Sequence, residues 1–126
     1  MSLDKNIVVG KYDKTFNKIL NINITQSTIV RSKGLPTHLL KSNHANSMKY
    51  IDYIPDIIKN PDFIGINPNE RKDSIELVKR YKDNVLLGLK VDSISNTLYV
   101  STMYDLQEQK LQRRLHSGRL IPFGEK

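Results

Sequence analysis

Three stretches in the second half of the chain constrain the fold more than any other feature. Ile75, Leu77, Lys79 and Tyr81 alternate along Ser74 to Tyr81. Val85, Leu87, Leu89 and Val91 do so along Val85 to Val91, and Leu98, Val100, Thr102 and Tyr104 along Thr97 to Tyr104. A period of two is that of a strand with one packed face and one wetter face. Asp83-Asn84 and Ser95-Asn96 separate the runs, and such short polar links suit tight hairpins. With Phe63 to Ile66 as a fourth strand, the pattern predicts an antiparallel meander.

The remaining segments predict what packs on that sheet. Ile7-Val8-Val9 and Ile19 to Ile24 read as short strands, the second because Leu20, Ile22 and Ile24 alternate with asparagines. Gly34-Leu35-Pro36 breaks the chain, and Pro36 suits the first turn of a helix reaching about Asn43 with Leu35, Leu39 and Leu40 on one side. Ile51, Ile54 and Ile58 continue at helical spacing, interrupted by Pro55 and stopped at Asn60-Pro61-Asp62. Asp105-Leu106-Gln107-Glu108 has the form of a capping box, opening a last helix that Gly118 closes. The expected fold is α+β: N-terminal short strands and helices packed on one face of a four-stranded antiparallel sheet, then a C-terminal helix. At 126 residues the chain is expected to be one domain, 1–126.

Composition narrows the chemistry. The chain has no Cys, which removes thiolate catalysis and Cys-ligated metals. Carboxylates are scattered without a D-x-D or E-x-x-H grouping, and no G-x-G-x-x-G or P-loop occurs, so neither a metal nor a nucleotide cofactor is expected. No apolar run reaches membrane-span length and no signal-peptide core opens the chain, so a cytoplasmic protein without membrane contact is expected. The 20 Lys and Arg exceed the 13 Asp and Glu. The excess is concentrated: no acid lies between Asp13 and Asp52, where Lys14, Lys18, Arg31, Lys33, Lys41 and Lys49 fall, and Lys110, Arg113, Arg114, His116 and Arg119 crowd the end. Two basic segments that converge on folding would attract a polyphosphate such as RNA.

Three constellations could act on such a ligand. His38, Lys41 and His44 fall about 60° apart around a helix at roughly 100° per residue, forming one polar stripe. Two imidazoles can act as base and acid near neutral pH, and a lysine between them can hold a phosphate. A helix that buries its leucines leaves the same stripe outside, and spacing alone favours that solvated face over a site. On the last strand of the meander, Thr102 is expected on one face with Val100 and Tyr104, and Ser101 on the other with Tyr99 and Met103. A hydroxyl there can bond a phosphate and a tyrosine can stack on a base, although strands favour Thr and Tyr on packing grounds too. Lys110, Arg113 and Arg114 share a helix face and form a candidate phosphate clamp.

Four strings, GLPTHLLKSNH, YIDYIPDIIKNPDFIG, VLLGLKVD and LYVSTMYDLQEQKLQRR, resemble the phage-borne barnase–EndoU–colicin–RelE-like nucleases, the PBECR group, from about Arg31 to Arg114. The resemblance implies a compact nuclease fold of N-terminal helices and a four-stranded antiparallel sheet. It also implies metal-independent RNA cleavage, often as a toxin-like module, with RNA and an immunity or antitoxin protein as partners. His38 and His44 match the family's helix histidines, Thr102 its strand hydroxyl, and Arg113 or Arg114 its C-terminal basic position. The expected catalytic set is therefore His38, His44, Thr102 and Arg113, with Lys41, Ser101, Lys110 and Arg114 binding substrate. A non-catalytic RNA- or protein-binding module on the same fold is the alternative.

Overall fold

A computed structural model describes residues 6–41, 45–69 and 74–124. Its centre is the expected meander. Strands β3 (Phe63–Ile66), β4 (Ser74–Arg80), β5 (Asn84–Asp92) and β6 (Thr97–Asp105) pair in antiparallel succession. The hairpins close on local polar chemistry: the Tyr81 amide donates to the Asp83 carbonyl at 2.9 Å, and Asp92 Oδ1 accepts from the Ile94 amide at 3.1 Å. Asn96 takes the left-handed conformation at φ 59°, which Asn tolerates better than most residues.

The sheet does not stop at four strands. It has seven, in the order β1-β2-β6-β5-β4-β3-β7, with β1 (Asn6–Lys11) and β2 (Thr28–Ser32) on one side and β7 (Leu120–Pro122) on the other. The N-terminal strands thus extend the meander instead of packing on it. Strand β2 runs parallel to β6, pairing Ile29 with Leu98 and Val30 with Tyr99, so the sheet is mixed. The expected strand over Ile19 to Ile24 is instead helix α1 (Thr15–Leu20), ended by Asn21 at φ 57°. Beyond it, Asn17 holds Ile24 through both amide atoms, at 2.9 and 3.1 Å, so a side chain does the work of a ladder neighbour.

Helix α2 (Leu35–Lys41) buries Leu35 and Leu39 but leaves Leu40 exposed. A 3₁₀ segment (Ala45–Tyr53) leads into α3 (Ile54–Lys59), with Pro55 in its first turn. Phe16, Leu39, Ile54, Ile57 and Ile58 from these elements meet Ile75, Leu77, Val85, Leu87, Leu89, Leu98 and Met103 in the main core.

The last helix departs from expectation in two ways. Strand β6 runs on through Asp105, which pairs with Val85, so Asp105 cannot cap; α4 (Glu108–Ser117) starts from Gln107 in extended conformation. It also lies on the other face of the sheet. Leu111 joins Val78, Leu86, Leu106 and Leu120 in a second core, and alternation puts Val78 and Leu86 opposite Leu77 and Leu87. Helices therefore cover one face broadly and the other only at one end.

The candidate functional site on the open sheet face

A register shift in β5–β6 decides which groups reach the uncovered face. Gly88 pairs with Thr102 while Leu89 pairs with Val100, leaving Ser101 as the extra residue of a β-bulge. Val100 and Met103, three apart, both reach the main core, which regular alternation forbids. Thr102 consequently shares the open face with Tyr99 and Tyr104, not with Val100. The Ser101 hydroxyl donates to the Gly88 carbonyl at 3.2 Å.

Glu76 stands on the same face in the middle of β4, 4% exposed, paired with Gly65 on one side and Gly88 on the other. Neither neighbour has a side chain, so the carboxylate stands in a trough across the sheet. Both glycines keep the trough clear, Gly65 against backbone and Gly88 against a side chain. A Cβ at Gly88 would lie 2.7 Å from Thr102 Cγ2, and one at Gly65 would lie 1.9 Å from the Arg119 carbonyl oxygen. The close approach at Gly65 lets the chain turn after α4 and deliver Arg119 over the trough.

Arg119 fills one end. Its Nε and Nη2 donate to the two Glu76 oxygens at 3.0 and 2.7 Å, a forked charge-assisted pair. Hydrogen bonding to Glu76 holds the Arg119 guanidinium above its already high range. Arg114 reaches the same carboxylate at 4.0 Å and donates to the Tyr104 hydroxyl at 3.3 Å. Two cations thus converge on one buried carboxylate. At the other end is a cavity of about 180 Å³ walled by Ser74, Glu76, Gly88, Lys90, Ser101 and Thr102 among others. Alongside α4, an open groove of about 970 Å³ is walled by Arg113, Arg114, His116 and Arg119 together with Pro68.

The residues singled out from sequence divide accordingly. Thr102 and Ser101 wall the cavity, Arg114 joins the carboxylate cluster, and exposed Arg113 walls the groove. Lys110 is exposed on α4 and outside both concavities. His38 and Lys41 are exposed on α2, whose leucines enter the main core, and neither belongs to the walls of cavity or groove. His44 lies outside the described residues. Glu76, Lys90, His116 and Arg119 were not singled out as a set. The signal for Glu76 was readable only through register: an acid in a strand whose two neighbours each present glycine.

Among the described residues no group of three His, Asp or Glu side chains is placed to hold a metal ion. Nor is any described helix long and apolar enough to cross a membrane.

An α+β sheet with an arginine-rich trough on its open face suits a protein acting on a phosphodiester, and comparison with known families agrees. The family model of the phage-Barnase-EndoU-ColicinE5/D-RelE like nuclease 3 group, PBECR3, matches residues 6–113. The chain belongs to that nuclease-like family, whose match extends across β1 and β2 as well as the meander. No curated protein and no solved structure matches the chain.

Proposed function

We propose that the chain cleaves RNA at a phosphodiester seated on the open sheet face, without a metal ion, by attack of the 2′-hydroxyl. The observation that carries this reading is the arginine pair. Arg114 and Arg119 are held on Glu76 beside Thr102, so their guanidinium groups are oriented before substrate arrives. Donors fixed in advance cost no reorganisation when charge develops on the phosphorane oxygens. Glu76 in this scheme is an anchor. Engaged by Arg119 through both oxygens, it positions cations and does not take the 2′ proton.

The cavity has the right scale. At roughly 30 Å³ per water, 180 Å³ is room for about six waters, enough to admit one phosphate group with solvent beside it. Thr102 donates a hydrogen bond there, and Lys90 adds positive charge to the wall. The 2′-oxygen attacks phosphorus, a base accepts its proton, the P–O5′ bond breaks and an acid protonates the departing oxygen. Products carry 2′,3′-cyclic phosphate and 5′-hydroxyl ends.

Proton transfer is assigned to histidine, the side chain that titrates near neutral pH without perturbation. His116 shares the groove wall with both anchored arginines and is the candidate that the geometry favours for the acid. His38 and His44 enter the proposal as the pair that the sequence suggests, and Arg113 as a groove-wall cation.

The test is single-stranded RNA incubated with the protein in excess chelator, followed by end-group analysis. Cleavage with cyclic phosphate ends is expected. Arg114→Ala should slow it about 10²–10³-fold, as for loss of one fixed donor to a developing oxyanion. His116→Ala should cost about 10²–10⁴-fold, as for loss of an acid or base. An unaffected His116→Ala beside an inactive His38→Ala/His44→Ala variant moves proton transfer to the helix pair. RNA binding without cleavage under any condition overturns catalysis in favour of a binding module.

A further inference from the structure

We infer that a second concavity on the same sheet face, beside Tyr99, is a nucleobase subsite for the nucleotide next to the scissile phosphate. The inference rests on the RNA reading above. The concavity measures about 420 Å³ and is walled by Asn6, Val30, Asp92, Thr97 and Tyr99, among others.

Its position follows from register. Tyr99 pairs with Val30 of β2 on one side and Lys90 of β5 on the other, and Lys90 also walls the phosphate cavity. The bulge at Ser101 returns Thr102 to the face that Tyr99 occupies, one pleat repeat further along β6. That repeat is about 7 Å, the span of one nucleotide step in an extended strand. A chain whose phosphate touches Thr102 and Lys90 therefore lays its neighbouring base over Tyr99.

The walls suit a base better than a phosphate. Tyr99 is 38% exposed, flanked on β2 by Val30, and Ile94 at the tip of the adjoining hairpin is 97% exposed. An exposed ring between aliphatic neighbours is a stacking platform, because every base has a π-face. Asp92 adds a fixed negative charge. The Ser95 hydroxyl lowers its pKa, and it accepts from the Ile94 amide at 3.1 Å. A carboxylate in the wall repels phosphate and tolerates a neutral base, whereas Lys90 on the other side attracts the backbone. The charge gradient across the face thus orients the strand, phosphate toward Arg119 and base toward Asp92.

The test is equilibrium binding at fixed salt of two probes with 2′-O-methyl sugars, so that the nucleophile is blocked. One is a pyrimidine oligonucleotide and the other an abasic chain of equal length. Tyr99→Ala should weaken the oligonucleotide about tenfold and leave the abasic chain unchanged, while Tyr99→Phe retains wild-type affinity for both. Thr102→Val should weaken both probes equally. If Tyr99→Ala binds both probes like wild type while Thr102→Val is impaired, the base subsite falls and the phosphate site stands. Equal loss on both probes in Tyr99→Ala also overturns the subsite, because the ring then acts through the fold. If wild type binds neither probe, both readings fall. Loss of a protein partner, with RNA affinity unchanged, reassigns the patch to protein recognition.

Discussion

The two faces of the sheet are built by alternate residues of the same strands, yet they solve opposite problems. On β4 and β5 the inward set is Ile75, Leu77, Val85, Leu87 and Leu89, each 0% exposed. The outward set over the same span contains Ser74, Glu76, Gly88 and Lys90. One face gains stability from area removed from water. The other gives up side-chain packing at Gly65 and Gly88 to make a trough, and keeps Glu76 buried because Arg119 satisfies it. Helix α4 and β7 then close one end, leaving the trough open toward Thr102. A strand period of two is what makes this division possible, and a single bulge sets which hydroxyl joins the working side.

Substitutions can test that division, beginning with the largest effect. Leu87→Ala removes a fully buried side chain of the packed face and should cost about 2–5 kcal/mol in urea unfolding. RNA affinity of the remaining folded protein should be little changed. Gly65→Ala drives a Cβ into the Arg119 backbone, which cannot swing away as a side chain can. It should cost about 1–3 kcal/mol and lower RNA cleavage, because Arg119 is displaced from Glu76. At Gly88 the obstructing atom is the Thr102 methyl, which rotation can move. Gly88→Ala should therefore affect stability less than Gly65→Ala, and its main readout is weaker RNA binding as the cavity floor fills.

The smallest effect concerns the anchor of α4. Arg80, then Gln112 and Asn84, hydrogen-bond the Glu108 carboxylate and lower its pKa from 4.5 to about 2. A carboxylate with a depressed folded pKa contributes stability above its unfolded value, and that contribution is lost as pH falls through the folded one. Acid unfolding should therefore show a Glu108 component between about pH 4.5 and 2, absent in Glu108→Gln and reduced by added salt, since the pair is solvent-exposed.

Much of the architecture was legible because one physical signal dominates it. The alternating runs locate β4, β5 and β6 to within a residue or two, since successive side chains of a strand point to opposite faces and the face toward the main core is largely apolar. The order of the outer strands was not legible. β2 reaches β6 in parallel across a long separation, and nothing local in Thr28–Ser32 specifies that neighbour. β7 is three residues long and gains its place from Gly65 rather than from its own composition. The site was half legible for a related reason. Thr102 and Arg114 belong to segments whose chemistry is visible, whereas Glu76 and Arg119 acquire meaning only when cross-strand register brings 43 positions of separation to 2.7 Å. The bulge at Ser101 is equally silent in sequence, yet it moves Thr102 from one face to the other.

The central claim is that the uncovered face, and not the helical layer, is the working surface. Backbone amide chemical shifts recorded while a 2′-O-methyl oligonucleotide is titrated into isotope-labelled protein test it directly. The account predicts the largest shifts at Glu76, Gly88, Thr102 and Arg119. Shifts centred on α2 around His38 and Lys41, with those four unmoved, would contradict it.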